Sequence, residues 1–186
     1  MRIISGSLKG RTIDFLKNTN TRPLKDAVKE NIFNIIEHSR LINVKVLNSN
    51  ILDLYSGVGS FGIECISRGA SKATFVEKNA TAVKVLKENL INLSILNQSK
   101  IYNYKIEDIL DKEIKERFQI FFLDPPFKNY DFLKNLKLIK NRKIFEKDHI
   151  IIIHREAKTN DDLNDIINIV ETKKYGRSKI IFGEFI

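Results

Sequence analysis

Alternation is the feature that most constrains this chain. Short, largely apolar β-favouring runs at 51–55, 73–77, 100–104, 119–124 and 149–154 are separated by segments in which apolar side chains return every three or four residues. Val28, Ile32 and Ile35 form one such series, Val83, Leu86, Leu90 and Leu93 a second, and Phe132, Leu133, Leu136 and Ile139 a third. Strands that are apolar throughout need cover on both faces, so the pattern predicts a parallel sheet with helices on either side and right-handed crossovers. The last two runs, 169–175 and 179–185, surround Gly176-Arg177-Ser178 and leave no room for a helix; they should pair as an antiparallel hairpin. Residues 2–13, a β-favouring run holding Gly6 and Gly10, read as a small hairpin or irregular strand outside the sheet. The expected fold is α/β: a Rossmann-like, doubly wound, mostly parallel sheet with a C-terminal antiparallel hairpin and a short N-terminal β/α extension.

With 186 residues and 42% apolar content, the chain suits one domain with one ordinary core. No apolar run approaches the roughly 18 residues that span a bilayer. The single cysteine, Cys65, cannot close an intramolecular disulfide, and the first residues lack the apolar run of a signal peptide. A reducing, cytoplasmic setting is expected.

The net charge of +9 is unevenly placed. Residues 1–48 net +5, residues 49–124 net zero, residues 125–147 net +5, residues 148–169 net −3, and the last seventeen net +2. Lysines outnumber arginines 23 to 9, which biased codon usage alone would produce. A compositional drift does not predict the neutral block between two basic ones, whereas a nucleic-acid footprint is local.

After the first strand comes Ser56-Gly57-Val58-Gly59-Ser60-Phe61-Gly62, a GxGxxG run at a strand-to-helix turn. Glu77, twenty residues beyond Gly57, closes the next strand, where a carboxylate can accept both hydroxyl protons of an adenosine ribose. NAD and S-adenosylmethionine both present that ribose. Asp53, in the strand before the loop, favours S-adenosylmethionine, because a carboxylate there would repel a pyrophosphate but can pair with an amino-acid ammonium.

The fourth strand runs into Asp124-Pro125-Pro126-Phe127. An exocyclic nucleobase amine is a poor nucleophile because its lone pair is delocalised into the ring. A catalyst must hold its two protons on acceptors such as Asp124 and the Pro125 carbonyl. Pro125 and Pro126 fix φ and remove two backbone donors, and Phe127 offers a flat face on which an extruded base can stack.

These blocks resemble the bacterial class I S-adenosylmethionine-dependent methyltransferases that modify the N2 amine of a guanine in small-subunit (16S) ribosomal RNA. The resemblance covers nearly the whole chain: Arg2-Ile3-Ile4-Ser5-Gly6 with Lys9-Gly10-Arg11, Arg22-Pro23 with Asp26, Glu30 and Phe33-Asn34, the glycine loop with Glu64 and Ser67-Arg68-Gly69-Ala70, Glu77, and the Asp-Pro-Pro-Phe block. That last block is shared with adenine-N6 DNA methyltransferases, and the N-terminal blocks narrow the match. Leu24 stands where the family usually has Thr, Lys29 where it has Arg, and Lys105 where an Asp or Asn commonly meets the adenine amine.

The resemblance implies a single methyltransferase domain over 1–186, with a basic extension at 1–48 and a cofactor-binding and catalytic core at 49–186. Cofactor residues would be Asp53, Tyr55, Ser56, Gly57, Gly59, Gly62 and Glu77, with the Ile106 amide or Asp108 at the adenine. Asp124, Pro125, Pro126 and Phe127 would form the catalytic block. Arg2, Lys9, Arg11, Arg22, Lys128, Lys134 and Lys137 would meet RNA phosphates, on free ribosomal RNA or on a small subunit. His38, His149 and His154 have no metal-ligand spacing, so no metal is expected. An NAD-dependent oxidoreductase would leave the Asp-Pro-Pro-Phe block unexplained. A DNA methyltransferase would have little room for a target-recognition domain, and a non-catalytic RNA-binding protein that retains the pocket would transfer no labelled methyl to RNA.

Overall fold

The structure is a computed structural model that describes residues 1–16, 24–126 and 129–186. Helix α1 (Asp26–His38) precedes a seven-stranded sheet formed by β1 (Asn50–Leu54), β2 (Lys72–Val76), β3 (Ser99–Tyr102), β4 (Phe118–Leu123), β5 (Phe145–Glu156), β6 (Ile167–Tyr175) and β7 (Ser178–Phe185). Helices α2 (Ser60–Ser67), α3 (Ala80–Asn92), α4 (Ile106–Lys112) and α5 (Phe132–Arg142) connect the parallel strands. The strand order is β3-β2-β1-β4-β5-β7-β6; the first five positions pair in parallel, and β7 pairs antiparallel to both β5 and β6. This is the doubly wound sheet and C-terminal hairpin expected from the alternation.

The period of two along each strand divides the core. Ile51, Phe75, Ile120, Phe122, Ile150 and Ile152 face α1, α2 and α3, whereas Leu52, Leu54, Phe121, Leu123, Ile151 and Ile153 face α4 and α5. Helix α3 starts at Asn79, whose Oδ1 accepts the amides of Thr81 and Ala82 at 2.9 and 3.1 Å, an N-cap that satisfies two otherwise orphaned donors.

Two elements differ from expectation. Helix α4 lies in a stretch given no helix in the sequence reading, although Ile106, Ile109, Leu110 and Ile114 are spaced for one apolar face and all are buried. At seven residues it is too short for periodicity to stand out against its charged neighbours. The hairpin turn is Gly176-Arg177, with Ser178 already in β7; Gly176 takes φ +59°.

The N-terminal segment closes as a small antiparallel hairpin through the Arg2–Thr12 bridge, with Ile3 N donating to Arg11 O at 2.9 Å and Ile13 N to Met1 O at 2.8 Å. Glu64, fully buried on α2, ties it to the sheet. Its carboxylate accepts the amides of Ile4 (2.9 Å) and Ser5 (3.0 Å) and the Arg68 Nε (2.9 Å), with the Lys29 ammonium at 3.5 Å. Lys29, also fully buried, donates to Arg2 O and Ser60 Oγ. Desolvation pushes the Lys29 pKa down, and its pairing with Glu64 opposes that fall. Phe33 of α1, Phe61 of α2 and Phe122 of β4 then stack in series, with centroids 5.2 and 4.1 Å apart and the Arg68 guanidinium 4.2 Å from the Phe33 centroid.

No helix among the described residues is long and apolar enough to cross a membrane. Glu64→Ala leaves Lys29 buried without its counter-charge and two amides without their acceptor. It should destabilise the fold by about 3–5 kcal/mol, read as a lower midpoint in urea denaturation.

Candidate active site

Parallel pairing of β1 with β4 in the register Asp53↔Phe122 and Leu54↔Leu123 brings the loop after each strand to the same edge of the sheet. Those strands neighbour one another, while their crossover helices α2 and α5 lie on opposite faces. This is the switch point of the winding, where α/β sheets leave a crevice. A cavity of about 1000 Å³ opens there. Asp53, Tyr55, Ser56, Gly57, Glu77, Ile106, Asp108, Asp124, Pro125 and Pro126 all line it.

Gly57 takes φ +54°, and a Cβ built there would meet nothing within 4 Å, so the backbone is bare toward the cavity. Its amide donates to Glu77 Oε2 at 3.0 Å, and the Asn79 amide donates to Oε1 at 2.8 Å. Each Glu77 oxygen thus accepts one backbone donor and retains a further lone pair. Ser56 Oγ is buried at the cavity wall without a partner among the described residues.

Gly59 and Gly62 complete the glycine run expected to hold the cofactor. Neither lines the cavity. Gly59, at φ +87°, is the N-cap of α2. A Cβ on Gly62 would fall 2.4 Å from Phe75 Cε1, so this glycine lets α2 sit directly on β2. The Gly62 amide donates to Asp53 Oδ2 at 3.0 Å, which seats α2 on β1 as well.

Asp53 is therefore not a carboxylate open to solvent. It is buried, and desolvation pushes its pKa up to about 8 against the Gly62 hydrogen bond, with the charges of Asp124 and Glu77 adding to the rise. A cation entering the cavity would favour the ionised form.

Tyr55, in the left-handed region at φ +60°, accepts from Asn135 Nδ2 of α5 through its hydroxyl at 2.9 Å. Burial pushes its pKa up to about 12. Asp108 is exposed at the cavity rim and Ile106 is buried at the start of α4, with Lys105 beside them.

Two residues absent from the sequence reading of the site grip the Asp-Pro-Pro loop from β5. His154 Nδ1 lies 2.8 Å from Asp124 Oδ1. Arg155, on the opposite face of the strand, donates from Nη1 to Pro126 O at 3.3 Å and is held by Asp161 through two 3.0 Å bonds. Its guanidinium, fully buried, also lies 4.5 Å from the Phe132 ring centroid. Both residues follow the Ile150-Ile151-Ile152-Ile153 run, and their position at the C-terminal end of a core strand is the signal that could have found them.

The basic residues are dispersed. Lys9 and Lys137 are exposed, and Lys134 lines the cavity mouth with Asp131 at 3.5 Å. Arg2 pairs with Asp26 at 3.6 Å, and Arg11 donates to Asn92 O at 3.0 Å. Lys140, which shares the helical spacing of Lys134 and Lys137, donates to Asp165 O. Arg22, Phe127 and Lys128 lie outside the described residues.

Residues 1–184 match the family described as conserved hypothetical protein 95. The chain belongs to this family. It is 34% identical over 180 residues to a provisionally named rRNA methyltransferase of Bacillus subtilis strain 168, covering 95% of this chain and 94% of that one. It is 32% identical over 183 residues to ribosomal RNA small subunit methyltransferase D of Buchnera aphidicola from Baizongia pistaciae, covering 98% and 90%. Among solved structures, a provisionally assigned methylase of Haemophilus influenzae superposes with a TM-score of 0.79 at 26% identity, over 100% of this chain and 98% of the other. The chain is thus a methyltransferase with the class I fold, as the motifs implied.

The Asp53 carboxyl gives a pH test. Between about pH 4 and pH 8 it stays protonated in the folded protein and is ionised in the unfolded chain, so the ligand-free fold loses stability as pH rises through that window. Urea denaturation at pH 5 and pH 8 should show this loss, and Asp53→Asn should remove most of it.

Proposed function

We propose that this protein transfers a methyl group from S-adenosylmethionine to the exocyclic N2 amine of a guanine in small-subunit ribosomal RNA. The observation that carries the reading is the meeting of the glycine loop and the Asp124-Pro125-Pro126 loop in one cavity across the switch point. At about 1000 Å³ the cavity is at the upper end of single-ligand pockets, which suits a cofactor and an extruded base together.

The lining residues fit the cofactor. The spare lone pairs of Glu77 suit ribose hydroxyls, and the bare Gly57 backbone allows close approach. The buried Ser56 hydroxyl and the Asp53 carboxyl, whose ionised form a nearby cation favours, suit its amino-acid end. When bound, S-adenosylmethionine supplies an electrophilic methyl on a sulfonium sulfur. The protein's part is to hold the amine. Asp124 accepts a hydrogen bond from one of its N–H groups. The Pro126 carbonyl is engaged by Asn129 N at 2.8 Å and by Arg155, which supports the Pro125 carbonyl as the second acceptor. Phe127 would stack on the base. Positioning of this kind accounts for most of the acceleration without a covalent intermediate, and Cys65, buried in α2 with its thiol pKa raised by desolvation, takes no part.

Residues 1–48 serve as an RNA-facing extension of a single catalytic domain, and the target base is unpaired or in a loop, because extrusion costs a few kcal/mol. The names of the curated relatives support ribosomal RNA as substrate.

Labelled methyl transfer to small-subunit RNA, followed by nucleoside mass spectrometry, should give N2-methylguanosine; N6-methyladenosine would overturn the base assignment. Asp124→Ala should lower turnover by at least about 100-fold while S-adenosylhomocysteine affinity stays within a few-fold. Replacing Lys9, Lys134 and Lys137 with Gln should weaken RNA binding and flatten its dependence on log salt by about 0.7–0.9 for each phosphate left without its lysine. An unchanged slope would return those lysines to a solvated role.

A further inference from the structure

We infer that His154 is the positioning residue for Asp124, holding the carboxylate so that its second oxygen faces the substrate amine. The inference rests on the amine-methylation reading above and assigns a residue that the glycine loop and the Asp-Pro-Pro block do not contain.

Register supplies the geometry. Strands β4 and β5 pair in parallel with Leu123↔Ile153, so the next residues, Asp124 and His154, emerge side by side at the cavity edge. Phe122 and Ile152, two residues back on each strand, share one face of the sheet with the buried ring of Phe61. Asp124 and His154 continue that face into the cavity, and both line it. His154 is nearly buried, while the Asp124 side chain keeps about a quarter of its surface exposed. One carboxylate oxygen therefore meets the imidazole at 2.8 Å, and the group retains access to the cavity.

A carboxylate can only accept, so Nδ1 carries the hydrogen of this bond. The bond is charge-assisted and short, and it removes the rotational freedom Asp124 would have at a strand end followed by two prolines. An acceptor for an amine proton acts only if its lone pair is aimed before the amine arrives, and a misplacement of about 1 Å can cost on the order of 100-fold in rate.

The other histidine of the strand shows what a structural role looks like. His149 Nδ1 donates to Glu146 O at 2.8 Å and Nε2 accepts the Phe185 amide at 2.9 Å, so both nitrogens are committed to backbone away from the cavity. His154 instead directs its Nδ1 hydrogen to the side chain that the chemistry most needs fixed.

The test separates positioning from packing. His154→Leu removes the donor and keeps an apolar residue at the strand end; His154→Asn places an amide N–H near the position of Nδ1. With wild-type enzyme active on RNA, His154→Leu should lower kcat by about 10–100-fold while KM for RNA and the Kd of S-adenosylhomocysteine stay within about threefold. His154→Asn should recover to within about fivefold of wild type. A Leu variant with more than half the wild-type kcat would overturn the inference, as would an Asn variant no better than Leu. Loss in the Leu variant through raised KM or weakened cofactor binding alone would also overturn it, since that marks a packing role. Wild-type enzyme that methylates no RNA amine would sink the functional reading and this inference together, an outcome distinct from active wild type with an unaffected Leu variant.

Discussion

Everything at the active site depends on the parallel register between β1 and β4. The two strands are distant in sequence, and their pairing through Leu54↔Leu123 sets the glycine loop and the Asp-Pro-Pro loop beside each other at one sheet edge. Because a parallel strand needs a crossover rather than a tight turn, the loops leave the sheet toward opposite helix layers and a crevice opens between them. A one-residue slip of β4 against β1 would turn Phe122 and Asp124 to the opposite face from Asp53 and separate the Asp124 carboxylate from the cavity.

That register is buttressed from both faces by polar contacts that would be costly to leave half made. On one face Asp53 seats α2 through the Gly62 amide, and Glu64 on the same helix gathers Lys29, Arg68 and the N-terminal hairpin. On the other, Arg155 links the Asp-Pro-Pro loop to Asp161 and to the ring of Phe132 at the start of α5. The aromatic stack Phe33, Phe61 and Phe122 runs from the N-terminal helix to β4, which leads into Asp124, so the extension and β4 share a core. Lys29, one of the basic residues of the extension, is built into this framework and is inaccessible to a phosphate.

The fold alters the charge distribution read from composition in the same way. Lys29 of the first quarter is paired with Glu64 from the neutral block, Arg2 pairs with Asp26 inside its own quarter, and Lys140 is engaged by a backbone carbonyl. The basic segment keeps Lys134, Lys137, Lys143 and Lys147 exposed, and Lys9 is exposed on the N-terminal hairpin.

Much of this architecture is legible in the residues alone. Apolar runs of strand length alternating with helical periodicity determine a doubly wound sheet, because such strands must be covered on both faces. Gly57, Glu77 and Asp124 can be placed because turn chemistry and strand ends are local signals. Helix α4 escapes that reading although its spacing is present, since seven residues give periodicity too little length. The roles of Gly62, Glu64, His154 and Arg155 are decided by the tertiary structure. Gly62 has the signature of a ligand-binding glycine but serves close packing on Phe75, which only the position of β2 reveals. His154 meets Asp124 across 30 residues of sequence, Glu64 meets Ile4 across 60, and contacts made between elements carry no periodic trace in either partner. Sequence determined which elements form and where they end; packing decided which side chains meet, because that depends on strand register and helix seating that no single segment encodes.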